Sequence, residues 1–312
     1  MVLGIVSSVL YFAIYKQATG AEKVFLGSSN YNGINPSDAA WNMTLMRHLI
    51  STGFDAQSNA NMTFCKKEIR TSTDLQARVY CITKGTGNYK ILVIGNSFAA
   101  NQAHLVYDAF RNFSSELTLF RMTACEIMTT TDPSWCGATR NYNYSAVLHT
   151  VEPDIVFVLL RSITTKTWFD TENSLEEDAI FKEYMERMRL IESVAKKVYL
   201  LQALPSCIDG CIQKAMDFTF SGKPLRDIEE GLIVRDDFFA RQRISEVGRR
   251  CKKCEIIDYM PLLVDKNGRY LGYDPTTNLI YLDKNNHFTR FAKERIQILF
   301  NRLAEELRET KL

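Results

Sequence analysis

From Tyr89 onward the chain alternates short apolar runs with longer stretches of helical periodicity, and this pattern restricts the fold more than any other feature of the sequence. The runs are KILVIG at 90–95, LTLFRM at 117–122, DIVFVLL at 154–160, KVYLLQA at 197–203 and EIIDY at 255–259. Continuous Val, Ile and Leu without polar alternation marks strands covered on both faces, as in parallel sheets. The stretches 98–113, 176–196 and 235–250 carry apolar residues at helical spacing, for instance Ile180, Tyr184, Met188, Ile191 and Val194. Strand and helix in alternation predict an α/β fold, a three-layer sandwich with a central parallel sheet and helices on both sides. A closing amphipathic helix follows over 289–312, with Phe291, Ile296, Leu299, Leu303 and Leu307 on one side and Lys293, Glu294, Arg302 and Glu305 on the other.

The part before this pattern has a different character. Residues 18–88 are rich in Asn, Ser, Thr and Gly and read as an irregular stalk containing one short helix, AAWNMTLMRHLISTGF. The first fifteen residues, MVLGIVSSVLYFAIY, are uncharged and mostly apolar. Residues 1–17 therefore read as the tail of a truncated transmembrane helix, a signal anchor, or a short buried hydrophobic helix, since about 20 apolar residues are needed for a full span. The domain expectation is thus 1–17, 18–88 and 89–312.

Eight cysteines fall in close pairs: Cys65 with Cys81, Cys125 with Cys136, Cys207 with Cys211, and Cys251 with Cys254. The rival reading is zinc on Cys207, Cys211, Cys251 and Cys254, but such sites repeat a CxxC knuckle and Cys207–Cys211 has three residues between its cysteines. Disulfides and no metal are expected. Sequons stand at Asn42, Asn61, Asn112 and Asn143, all in polar stretches or at element ends. With the apolar N-terminus they point to an oxidising compartment, hence a membrane-anchored protein facing the lumen or the exterior. With 38 basic against 36 acidic residues and no basic stripe, a nucleic-acid partner is not expected.

Two segments carry chemistry. KILVI runs into Gly95-Asn96-Ser97 and then into a helix, which places Ser97 at the carboxyl end of a strand, where open α/β sheets bind ligands. A helix start also offers amide groups and positive partial charge to an oxyanion. On this motif alone Ser97 reads equally as a helix N-cap. The second segment is YLDKNNHFTRFAKE, where His287 stands just before the last helix with Asp283 four residues upstream. A base for serine needs an acceptor behind it, and Asp283 fits that need in a tight loop; the plainer reading is a surface turn.

Together these blocks resemble the SGNH hydrolase superfamily, and more closely the lumenal SGNH domain fused to membrane acyltransferases of the acyltransferase-three type, including nematode-like forms. The resemblance covers roughly 88–300 and rests on VIGNSFAANQ and YLDKNNHFTRFAK. It implies an SGNH or flavodoxin-like sandwich with Ser97 as nucleophile, His287 as base and Asp283 behind the base. Asn96 replaces the Asp of the usual Gly-Asp-Ser, and Lys284 stands where the family's Asp-x-x-His spacing would put the acid. For the oxyanion hole the resemblance points to the Ser97 amide and to Gly137; Arg161 stands where the family's Gly-x-Asn is missing. It further implies no cofactor, an acyl donor delivered by a membrane acyltransferase domain, and a hydroxyl-bearing sugar, lipid or glycoprotein as acceptor. Three functions remain open: O-acyltransferase, serine esterase or deacetylase, and a non-catalytic binding domain of the same fold.

Overall fold

A computed structural model describes residues 34–51, 67–69, 78–122, 124–130, 136, 144–172 and 174–310. Residues 1–17, Cys65, Asn61, Gly137 and Asn143 lie outside the described residues. The chain forms two compact units, one built from 57–205, 235–258 and 300–312, the other from 1–56, 206–234 and 259–299.

The first unit holds a seven-stranded sheet in the order β1-β2-β4-β3-β5-β6-β9. Its strands are β1 (Lys67–Ile69), β2 (Arg78–Lys84), β3 (Tyr89–Gly95), β4 (Ser114–Met122), β5 (Ile155–Leu159), β6 (Lys197–Leu201) and β9 (Cys254–Ile257). Every apolar run read from the sequence forms one of them. Strands β4, β3, β5, β6 and β9 pair in parallel. Numbered among themselves they follow the 2-1-3-4-5 order of doubly wound sheets, whose switch point lies between β3 and β5.

The sheet is mixed rather than wholly parallel, because β2 runs antiparallel to both β1 and β4. These two strands come from 18–88, so the domain takes in part of the segment expected to be a stalk. The reason is visible in β2: Cys81 and Thr83 are buried while Ile82 is half-buried and Lys84 exposed. That alternation suits an antiparallel strand on the outer side of a sheet.

Helices cover both faces. On one, Leu92, Ile94, Val156, Val158, Val198 and Leu200 pack with α3 (Tyr144–Val151), α4 (Ala179–Val194) and α6 (Phe238–Arg250). On the other, Phe157 meets Phe110 of α2 (Ser97–Phe110) at 5.0 Å and Phe300 at 5.9 Å, and stacks on Tyr199 at 4.6 Å between ring centroids. Aromatic side chains buried in this way each contribute about 1.5–3 kcal/mol. Cys125 and Cys136 are disulfide-bonded, as are Cys251 and Cys254, with Cα separations of 4.9 and 5.3 Å. Cys81 is also disulfide-bonded.

The second unit contains α1 (Ala39–Ser51), α5 (Cys211–Phe220), the strand pair β7 (Ser206–Cys207) and β8 (Ile233–Val234), and the short α7 (Met260–Leu263). A loop region with isolated bridges follows and leads into α8 (Arg290–Thr310). Residues 290–299 of that helix count with this unit, and the remainder with the sheet unit. Cys207 and Cys211 are bonded at the start of α5.

The sequon at Asn42 is corrected here. Asn42 is fully buried, its Nδ2 donating to the carbonyls of Asn35 at 2.6 Å and Thr277 at 2.9 Å. The atom a glycan would occupy is committed to the core, although the polar sequence around it suggested exposure. Asn112, in the turn after α2, is exposed. Among the described residues no helix is long and apolar enough to cross a membrane.

Candidate active site

Ser97 lies in the sheet unit, within 57–205. Gly95 ends β3, and a Cβ there would run into the Leu159 carbonyl of β5, so only glycine lets the two strands stay in register at this point. Asn96 follows in extended conformation as the N-cap of α2, its Oδ1 accepting from the Phe98 amide at 3.1 Å. The same side chain reaches across to the end of β5. Its Nδ2 donates to the Arg161 carbonyl at 2.8 Å, and its Oδ1 accepts from the Arg161 amide at 3.0 Å. An amide is required for this pair of bonds, since an aspartate offers no donor. Asn96 thus fastens the two strand ends that flank the switch point, and Ser97 comes next as the first residue of α2, half-buried. The helix start brings positive partial charge to its side chain.

Arg161 is half-buried and continues from β5 into a loop. Because its amide is given to Asn96, only its guanidinium is a candidate donor to a reacting oxygen. This bond was not legible from the sequence, where Asn96 read as a substitution for aspartate.

His287 lies in the second unit, within 259–299. Leu282 and Phe288 bridge antiparallel, which closes Asp283–His287 into a tight loop with Asn286 at φ 59°. Asp283 Oδ1 accepts from the amides of Asn285 and His287, both at 2.8 Å. Its Oδ2 stands 3.5 Å from His287 Nδ1. The loop therefore brings together the two residues that the sequence paired, despite the extra residue between them: the wider spacing is absorbed by a turn that curls around the carboxylate. Below it, the buried Asn286 side chain bonds the amide and carbonyl of Cys207. Tyr259 packs edge-on against Phe288 at 5.6 Å. His287 thus turns Nδ1 towards the carboxylate.

Burial raises the Asp283 carboxyl, but hydrogen bonds from the His287 imidazole and from the His287 and Asn285 amides outweigh it and leave the pKa below the ordinary value. A depressed folded pKa gives stability that is fully present above the unfolded value, about 3.9, and is lost as pH falls through the folded one. Thermal unfolding should therefore show a larger loss of melting temperature between pH 5 and pH 3 for the wild type than for Asp283→Asn. Equal losses would mean that the carboxylate is not held as described.

The SGNH domain family described as fused to AT3 domains matches residues 65–302. Among solved structures, the periplasmic domain of a lipopolysaccharide acetyltransferase from Salmonella ser. Paratyphi A is similar over 71% of this chain and 85% of its own, at 11% identity and a TM-score of 0.46. A putative acylhydrolase from Bacteroides fragilis is similar over 72% of this chain and 90% of its own, at 15% identity and a TM-score of 0.40. An acetylxylan esterase from Geobacillus stearothermophilus is similar over 74% and 97%, at 14% identity and a TM-score of 0.38. No curated protein matches. The family match spans well over half of the sequence, and by it the chain belongs to the SGNH domains that occur fused to AT3 domains.

Proposed function

We propose that the chain is the lumenal or extracellular SGNH domain of an O-acyltransferase, in which Ser97 carries the acyl group as an ester. The observation that bears most weight is Ser97 at the start of α2, beside the switch point of the sheet, with Asn96 tying that point to β5. In the forward half-reaction the Ser97 hydroxyl attacks the acyl carbonyl and its proton passes to His287 Nε2. The donor's oxygen leaves and takes that proton, giving the serine ester and a free alcohol or its equivalent. A hydroxyl of a sugar, lipid or glycoprotein then attacks the ester in the reverse sense and regenerates Ser97. Asp283 holds the imidazole through Nδ1, and the Ser97 amide, the Arg161 guanidinium and Gly137 are the proposed donors to the oxyanion. The membrane partner domain that this family is fused to would bring the acyl donor.

Water in place of the acceptor makes the same machinery a serine esterase. Labelling with a fluorophosphonate, followed by peptide mapping, tests what both readings share: the adduct is expected on Ser97 and is expected to disappear in His287→Ala. A protein that takes no label at Ser97 would be a binding domain on the same fold. Turnover of p-nitrophenyl acetate with and without a sugar alcohol then separates transfer from hydrolysis by the product formed.

A further inference from the structure

Among the described residues the loop after β5 pairs with no strand, yet buried and half-buried charges hold it from several directions. Glu126, 2% exposed, comes from the segment following β4. Its carboxylate accepts from three successive amides, those of Ile163 at 3.0 Å, Thr164, and Thr165 at 3.4 Å, and from the Thr165 hydroxyl. Opposite, the fully buried Arg243 donates from Nη1 to the carbonyls of Thr165 and Thr167, both at 2.7 Å. Lys166 Nζ pairs with Asp236 at 2.6 Å. One side of the loop is thus held through its N–H groups by an anion and the other through its C=O groups by a cation.

This arrangement links three loops at the carboxyl edge of the sheet. The segment after β4 holds Ile163–Thr165 through Glu126, the loop after β5 begins at Arg161, and Arg161 is joined through both main-chain groups to Asn96, which precedes Ser97. We propose that Glu126 is a positioning residue for acyl transfer: by fixing Ile163–Thr165 it sets the Arg161 main chain that Asn96 needs and the Arg161 guanidinium offered to the oxyanion. The inference rests on the reading of Ser97 as nucleophile. Its physical basis is that a carboxylate pointing at converging amide dipoles forms strong charge-assisted bonds in a place where water does not compete. Small misplacements of such a site are costly to rate, up to about 100-fold for 1 Å.

Glu126→Gln is the informative change, because it keeps the shape while turning an NH₂ group towards amide N–H donors. Two readouts are needed. Amide hydrogen exchange at Ile163–Thr165 should speed up at least tenfold, and kcat for p-nitrophenyl acetate should fall about tenfold while KM stays within twofold. Glu126→Asp, which keeps both oxygens, should recover part of kcat.

Glu183→Gln is the control. Glu183 takes comparable bonds from Thr129 and Thr130, so this change should lower the melting temperature and leave kcat unaltered. Faster exchange with kcat unchanged in Glu126→Gln would reduce Glu126 to a structural pin and overturn the proposal. Unchanged exchange would overturn the pin itself. Wild-type turnover that survives Ser97→Ala would instead overturn the serine reading and the positioning role with it, while the exchange measurement would still report whether the loop is held.

Discussion

Ser97→Ala and His287→Ala are each expected to lower kcat/KM for ester substrates by about 1000-fold or more, and the double variant to lose less than a further tenfold. The reason is that nucleophile and base act on one proton: once either is gone, the other has nothing to do in the reaction, so their effects do not add. Asp283→Asn should cost less. The asparagine keeps an acceptor oxygen for the Asn285 and His287 amides, so the loop persists while the imidazolium loses its counter-charge. Initial rates with p-nitrophenyl acetate, measured for the two single variants and the double, decide the matter. If the two losses multiply, Ser97 and His287 do not share a proton and the catalytic reading fails.

The largest expected effect on stability lies at Arg243→Met. Arg243 is fully buried, forms a two-pronged pair with Asp178 through Nε at 3.0 Å and Nη2 at 2.6 Å, donates to Thr165 and Thr167, and lies 4.5 Å over the Phe169 ring. Burial raises the Asp178 carboxyl, and the Arg243 bonds with the Phe181 and Ile180 amides outweigh that and hold it down. Removing the arginine leaves this carboxylate with its amide donors but no counter-charge, and takes a donor from two carbonyls. Breaking one side of such a pair costs about 3–5 kcal/mol. For a chain of this size that is a melting temperature lower by roughly 10 °C. Asp178 also caps α4 by accepting from the Phe181 amide at 2.6 Å, so Asp178→Ala should destabilise too. The double variant should fall well short of the sum, because the residues share one interaction. Calorimetry showing a drop of only a degree or two for Arg243→Met would mean that the pair contributes nothing net.

How far the sequence could be read follows from the range of the forces involved. The five parallel strands are legible because burial on both faces leaves only apolar residues in each. Helices α4 and α6 are legible because an amphipathic face repeats with the helical period. Strand β2 is not, since RVYCITK mixes apolar and polar positions and gains its place only by pairing with β4. At the candidate site, the local signals were the Gly-Asn-Ser turn and the Asp283–His287 loop, both confined to a few residues. The clamp on the loop after β5 was hidden because its partners are distant in sequence: Glu126 stands 37 residues from Ile163, and Arg243 stands 78 from Thr165. A lone Glu in ACEIMTT and an Arg within a helix carry no mark of burial. Asn42 illustrates the opposite error, a polar motif that suggests solvent where the fold has used its side chain to join Asn35 to Thr277.

The hydrogen bonds around Asn96 also bear on how the protein ages. Asparagine followed by serine is prone to spontaneous deamidation, in which the next residue's main-chain nitrogen attacks the side-chain amide carbon and ammonia is lost through a cyclic imide. In the folded chain the Asn96 amide is held on both of its polar atoms, 1% exposed, with the backbone already committed to the start of a helix. Ring closure would have to break those bonds first, so damage at this position should build up only in molecules that have opened there. Its products, aspartate and the backbone-extended isoaspartate, could no longer donate to the Arg161 carbonyl, and a molecule that had unfolded for long enough would return without the tie between its two central strands. Asn96 would in this way act as a chemical record of time spent unfolded, written one residue before the proposed nucleophile.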